Sequence, residues 1–147
     1  QNATNGDRLY LAEGGLTSSA TYVAYVWQER PGYSKFGSYK GNGNADGPYV
    51  ELGFRPAWLM IKNTATSGWW FIYDVKRETH NPMYKIFGSN DANEEYYDNA
   101  YKIDIVSNGF KARGTQPETN KDGERIIYMA FAEQPGTTSF DTISNAR

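Results

Sequence analysis

The sequence has no cysteine, a single histidine, no cluster of basic residues and no long apolar run. Without cysteine there is no disulfide framework, no thiolate nucleophile and no cysteine-ligated zinc. The lack of disulfides leaves the compartment open, because extracellular proteins that are assembled in a reducing cytoplasm do without them too. Any Ser–His–Asp arrangement would have to use His80, which lies beside Asn81-Pro82 in an expected loop and reads as an exposed or turn-stabilising residue. No Gly-x-Ser-x-Gly elbow occurs. No stretch approaches the roughly 20 apolar residues of a membrane helix, and the first residues carry no signal-peptide pattern. Lys and Arg are scattered and the net charge is -2, so the basic face of a nucleic-acid binder is missing. Helix-favouring stretches of Ala, Leu, Glu and Lys are nearly absent.

What the chain does have is 12 Tyr, 7 Phe, 4 Trp and 15 Gly in 147 residues. Aromatics suit half-buried pleated strands and glycine suits the turns between them. The length fits one domain that buries roughly two-thirds of its unfolded surface. Strands are expected at Tyr22–Trp27, Phe36–Tyr39, Tyr49–Leu52, Pro56–Lys62, Trp69–Val75, Tyr84–Phe87, Tyr101–Val106, Phe110–Arg113 and Arg125–Ala132. Pro56–Lys62 is apolar on both faces, which predicts a central and well-covered strand, with Trp69–Val75 its hairpin partner. Ser107-Asn108-Gly109 reads as a turn of the Asn-Gly kind. The segments 41–48, 64–68 and 117–123 read as loops, and 77–99 as long loops around the brief strand Tyr84–Phe87. Short strands at this spacing predict an all-β, antiparallel two-sheet sandwich or jelly roll. The expected layout is an N-terminal segment over 1–20, a sandwich domain over 21–136, and a polar tail or linker over 137–147.

Residues 22–32 read YVAYVWQERPG and residues 126–136 read IIYMAFAEQPG. The two stretches share a β-prone aromatic run followed by Glu, a polar residue and Pro-Gly, 104 residues apart. Two readings stand at this point. One is coincidence between two similar strands. The other is a module of about 100 residues ending in this signature, with residues 1–30 carrying the end of a preceding copy or a matching framing strand.

Candidate chemistry is sparse. Glu94, Glu95 and Asp98 form the densest acidic group, but a glycosidase pair needs more than proximity, and the group reads as a solvated loop. Asn42, Asn44 and Asp46 alternate in a Gly-rich loop, as oxygen ligands do at the start of a calcium loop. The closing bidentate Glu is missing, so no cofactor is expected, with calcium the one candidate. Asp91, Asn93 and Glu94 form a similar weak cluster. Sugar recognition pairs an aromatic face with amides and carboxylates. That combination gathers in and around 77–99, and the candidate ligand-binding residues are Trp69, Tyr84, Asn93, Tyr96, Tyr97, Asp98 and Asn99. Trp58 and Trp70 read as core or sheet-face residues.

The stretches YVAYVWQERPGYSKFGSYKGNGNADGP (22–48), GFRPAWLMIK (53–62), WFIYD (70–74), SNGFK (107–111) and IYMAFAEQP (127–135) resemble a module of phage tail-fibre and other virion proteins. The resemblance covers about three-quarters of the chain. It implies a concanavalin A-like or laminin-G-like sandwich on the virion surface, with no catalytic motif to carry over. The function it implies is recognition of a host-surface glycan or receptor. A purely structural decoration or fibre-shaft domain is the alternative, and a secreted glycan-active enzyme the third reading. Other virion subunits are the implied partners, and a homotrimer is an expectation of that context. Neither nucleic acid nor membrane insertion is expected.

Overall fold

The computed structural model describes residues 20–133. Nine strands follow one another: β1 (Ser34–Lys40), β2 (Tyr49–Glu51), β3 (Pro56–Asn63), β4 (Phe71–Asp74), β5 (Lys85–Gly88), β6 (Tyr96–Tyr97), β7 (Ile103–Val106), β8 (Gly109–Ala112) and β9 (Arg125–Ala132). A 3-10 turn (Asn99–Tyr101) precedes β7, and a one-turn helix α1 (Pro117–Asn120) precedes β9. The strands form a six-stranded sheet, β1-β9-β3-β4-β5-β6, and a three-stranded sheet, β2-β8-β7. Every pairing is antiparallel. The fold is therefore the all-β, two-sheet sandwich that the composition predicts.

Alternation decides what is buried, because side chains two apart share a face. Leu59 and Ile61 of β3, Phe71 and Tyr73 of β4, and Ile126, Tyr128 and Ala130 of β9 point into the core. They meet Val50, Ile103, Ile105 and Phe110 from the smaller sheet. Phe110 joins the layers, with its ring 5.7 Å from that of Tyr39 and 5.6 Å from that of Tyr128. Each such side chain contributes roughly 1.5–3 kcal/mol on burial. Most polar groups inside are paired, as a low dielectric favours, the Thr119 hydroxyl being an exception. Tyr73 donates its hydroxyl to the Tyr101 carbonyl at 2.6 Å, and Tyr39 to the Thr119 carbonyl at 2.7 Å. Burial pushes both phenols above their usual range. The buried Asn120 accepts from the Asn42 amide at 2.9 Å and donates to the carbonyls of Asn44 and Gly114 at 2.7 and 2.9 Å. One side chain thus pins the Gly-Asn loop to the end of α1.

Several expectations need correction. Tyr22–Trp27 is not a strand: among the described residues it pairs with no sheet, and it lies exposed. β1 is an edge strand with β9 on one side only, so its outer edge is open to the upstream segment. Only one rung, Arg30 with Ser34, joins the upstream segment to β1. At the next rung the Glu29 carboxylate accepts from the Phe36 amide at 3.2 Å, where a backbone carbonyl would continue a ladder. β3 is central, between β9 and β4, but it is not well covered, because the face carrying Trp58 and Met60 is only half-buried. The β7–β8 hairpin closes at Val106 and Gly109, so its two loop residues are Ser107 and Asn108, one position earlier than the Asn-Gly reading. Gly109 is required for a different reason: a Cβ there would sit 2.0 Å from the Val50 carbonyl oxygen. The expected loop 117–123 contains α1, and β6 lies inside the expected loop 77–99. The expected tail 137–147 and residues 1–19 lie outside the described residues.

Candidate functional site

At the β5–β6 edge, the antiparallel pairing of Ile86 with Tyr96 brings a loop back over β4 and β5. The loop is fastened by the Asn90 side chain, which accepts from the Trp70 amide at 2.9 Å, and by the Asp91 amide, which donates to the Gly88 carbonyl at 3.2 Å. This stacks the Trp69 ring on Tyr96, with centroids 5.5 Å apart and planes at 22°. Trp69 is 37% exposed, so the pair presents an apolar surface to solvent. Polar groups stand beside it. Tyr96 donates its hydroxyl to Asp91. Asn93 donates from its side-chain nitrogen to Asp91 at 2.8 Å and to the Tyr96 oxygen at 2.9 Å. The hydrogen bond from Tyr96, and then those from Asn93, hold the Asp91 carboxyl below its ordinary range, and the same carboxylate raises the Tyr96 phenol. Among the described residues the Asn93 side-chain carbonyl accepts no hydrogen bond and keeps its acceptor capacity.

The seven expected binding residues thus separate into three groups. Trp69, Asn93 and Tyr96 come together. Tyr84, just before β5, and Tyr97 of β6 form a second pair, with centroids 5.5 Å apart and Tyr97 72% exposed. Asp98 caps the 3-10 turn, accepting from the Ala100 amide at 2.8 Å, and Asn99 begins that turn. Asp91, the centre of the polar network, was visible only as part of a weak metal-like cluster. The sequence signal for its true role is the spacing Asp91, Asn93, Tyr96 in a loop that must turn back.

The other candidates are engaged locally. Asn42 and Asn44 accept from the amides of Asn44 and Asp46, both at 3.0 Å. Asp46 pairs with Lys111 at 2.5 Å and faces Arg113 at 3.7 Å. A loop whose carboxylate already faces two cations offers a poor calcium cradle. Among the described residues no group of three His, Cys, Asp or Glu is placed to hold a metal. His80 is exposed and lies 3.1 Å from the Thr79 hydroxyl.

A second surface was not anticipated. The face of the six-stranded sheet opposite the core carries an unbroken row of apolar cross-strand neighbours. Phe36 of β1 stands beside Met129 of β9, Met129 beside Met60 of β3, Met60 beside Ile72 of β4, and Ile72 beside Phe87 of β5. Phe131 flanks the row and touches Phe36 and Trp58, with centroids 5.8 and 5.7 Å apart. All are half-buried except Phe87, which is exposed and lies under the Arg77 guanidinium at 5.9 Å. The signal was present as apolar residues on both faces over 56–61 of β3 and 126–132 of β9. A groove of about 420 Å³ opens elsewhere, between the Arg30–Ser34 turn and Leu52–Phe54, away from the expected binding residues.

No curated protein matches the chain, and no solved structure does. One family model matches residues 1–135, reaching from the first residue across both copies of the echoed stretch to Pro135. That family is described as a domain of unknown function, DUF7483, and this chain belongs to it.

Proposed function

We propose that this domain is a non-catalytic recognition module of a virion surface, with a concanavalin A-like sandwich as scaffold, that binds a host-surface glycan or receptor. The observation that carries the reading is the stacked, solvent-facing Trp69–Tyr96 pair beside Asp91 and Asn93. A sugar ring needs an apolar platform for its C–H face and amide or carboxylate groups for its hydroxyls. Both stand here, on a loop fastened at two points to a rigid sheet. Tyr84 and Tyr97 extend the aromatic surface along the same edge.

A glycan array with the intact chain tests the reading, followed by titration of the best ligand against Trp69→Ala and Asn93→Ala. Loss of a stacked platform weakens binding by roughly 1–3 kcal/mol, about 5- to 150-fold. An array on which the wild type captures nothing, or a ligand indifferent to Trp69→Ala, removes the proposal. The structural alternative, a decoration or shaft domain packing on its neighbours, draws on the open apolar face instead.

A further inference from the structure

Two apolar elements of this chain lack cover among the described residues. One is the row on the open sheet face, Phe36–Met129–Met60–Ile72–Phe87, with Trp58 and Phe131 beside it. The other is the segment before β1. There Val23, Tyr25, Val26 and Trp27 are 77, 76, 73 and 51% exposed. Tyr25 and Trp27 share one side of the extended chain and stack at 6.0 Å. Large contiguous apolar surfaces on a folded domain mark interfaces.

We infer that residues 23–27 form an arm that docks on the open sheet face of a second copy of this chain, the two copies exchanging arms reciprocally. Four observations favour a second copy. First, the arm repeats the residue pattern of β9, the strand that supplies Met129 and Phe131 to the face, so it has the chemistry of what already packs there. Second, the arm does not cover its own face. Its base is held by the Arg30–Ser34 bridge, by Glu29 on the Phe36 amide and by the Ser34 hydroxyl on the Gln28 carbonyl. The ladder goes no further, and the arm stays exposed. Third, charge does not oppose the contact: residues 22–27 carry no charged side chain, so docking on the apolar row buries no ion.

The fourth is area. Four such side chains at these exposures offer on the order of 500 Å². Two reciprocal arm–face contacts, counted on both surfaces, approach the roughly 1,200–2,000 Å² of a stable interface. Reciprocity follows from two-fold symmetry, in which each element of one copy meets the other element of its partner. This contact is independent of the Trp69 site and uses none of its residues.

Sedimentation of the intact chain over a range of concentrations tests the inference, beside the arm variant Val23→Asp/Tyr25→Asp and the face variant Met60→Lys. The wild type sediments as a dimer. The arm variant keeps the wild-type melting profile at low concentration but associates at least ~10-fold more weakly, and it retains whatever glycan binding the wild type has. Because the chain has no cysteine, Val26→Cys and Met129→Cys can be combined in one chain and oxidised. A disulfide-linked dimer supports the exchange. A monomer with an internal disulfide shows the arm lying on its own face and overturns it. So does a wild type that is monomeric at every concentration, or an assembly that the arm variant leaves intact.

Discussion

The stretches 22–32 and 126–136 are alike in sequence and opposite in fate. Residues 126–131 sit at the heart of the larger sheet, paired with β1 on one side and β3 on the other. Residues 22–27 pair with no strand among the described residues. Ala130 is fully buried, while Val26, its counterpart, is 73% exposed. The difference is not propensity, since both runs are β-branched and aromatic. It lies in the neighbours. β9 has a ladder on both edges, whereas the arm meets only the open outer edge of β1, where the Glu29 side chain takes the Phe36 amide after one rung. Local pattern therefore says that a segment can be a strand, and the sheet decides which of two equals becomes one.

The comparison breaks most sharply under a charge placed at matching positions. Ala130→Asp puts an unpaired carboxylate in the core and costs about 4 kcal/mol, a large share of the roughly 5–15 kcal/mol that holds an ordinary domain folded. Val26→Asp changes the stability of the monomer by less than about 0.5 kcal/mol. Urea denaturation of the two variants at low protein concentration reads this directly, and equal losses would make the arm part of the folded core. The next effect is smaller. Phe131→Ala removes a ring that touches Tyr33, Phe36 and Trp58, at a cost of about 2 kcal/mol, whereas Trp27→Ala leaves the melting temperature of the monomer unchanged.

Hydrogen exchange sharpens the same contrast without mutation. The amides of Tyr128 and Ala130 exchange only through global opening, while those of Ala24 and Val26 exchange near the unfolded rate in dilute solution. Protection of the arm amides that grows with concentration would report docking on a second copy. The smallest effect concerns Glu133, the counterpart of Glu29. Its hydrogen bond and charge pairing with Lys76 hold its carboxyl below the ordinary 4.5. A depressed carboxyl contributes stability that is present above its unfolded pKa and lost as pH falls through the folded value. NMR titration should therefore place its midpoint below 4.5, and Lys76→Ala should move it back up. The exposed pair adds little to overall stability.

Much of the fold was legible because alternation and turn chemistry act locally. Arg125–Ala132, Pro56–Asn63 and the hairpin near Asn108 were visible from period and turn residues alone. What was hidden depended on partners distant in sequence. β6 is two tyrosines that become a strand only by pairing with Lys85 and Ile86. The arm fails to be a strand because its ladder on the outer edge of β1 stops after the Arg30–Ser34 bridge, where a side chain takes the next amide. The open face was misread because apolar residues on both sides of β3 look the same whether or not a second layer covers them. At the candidate site, Trp69, Asn93 and Tyr96 were legible as sugar-binding types, and the structure brings them together. Asp98 was not separable from them, since a carboxylate that caps a 3-10 turn has the same letters as one that faces solvent.

The register of β1 on β9 sets Ser34 opposite Phe131, at one end of the pair, and Lys40 opposite Arg125 at the other. The backbone thus arrives at the sandwich and leaves it at the same corner. Tension drawn through residues 33 and 132 would open the two strands rung by rung from that corner, loading one pair of hydrogen bonds at a time, rather than sliding all seven pairs past each other at once. A domain threaded this way hangs beside the line of force as a side lobe, and it yields to pulling more readily than its buried core would suggest.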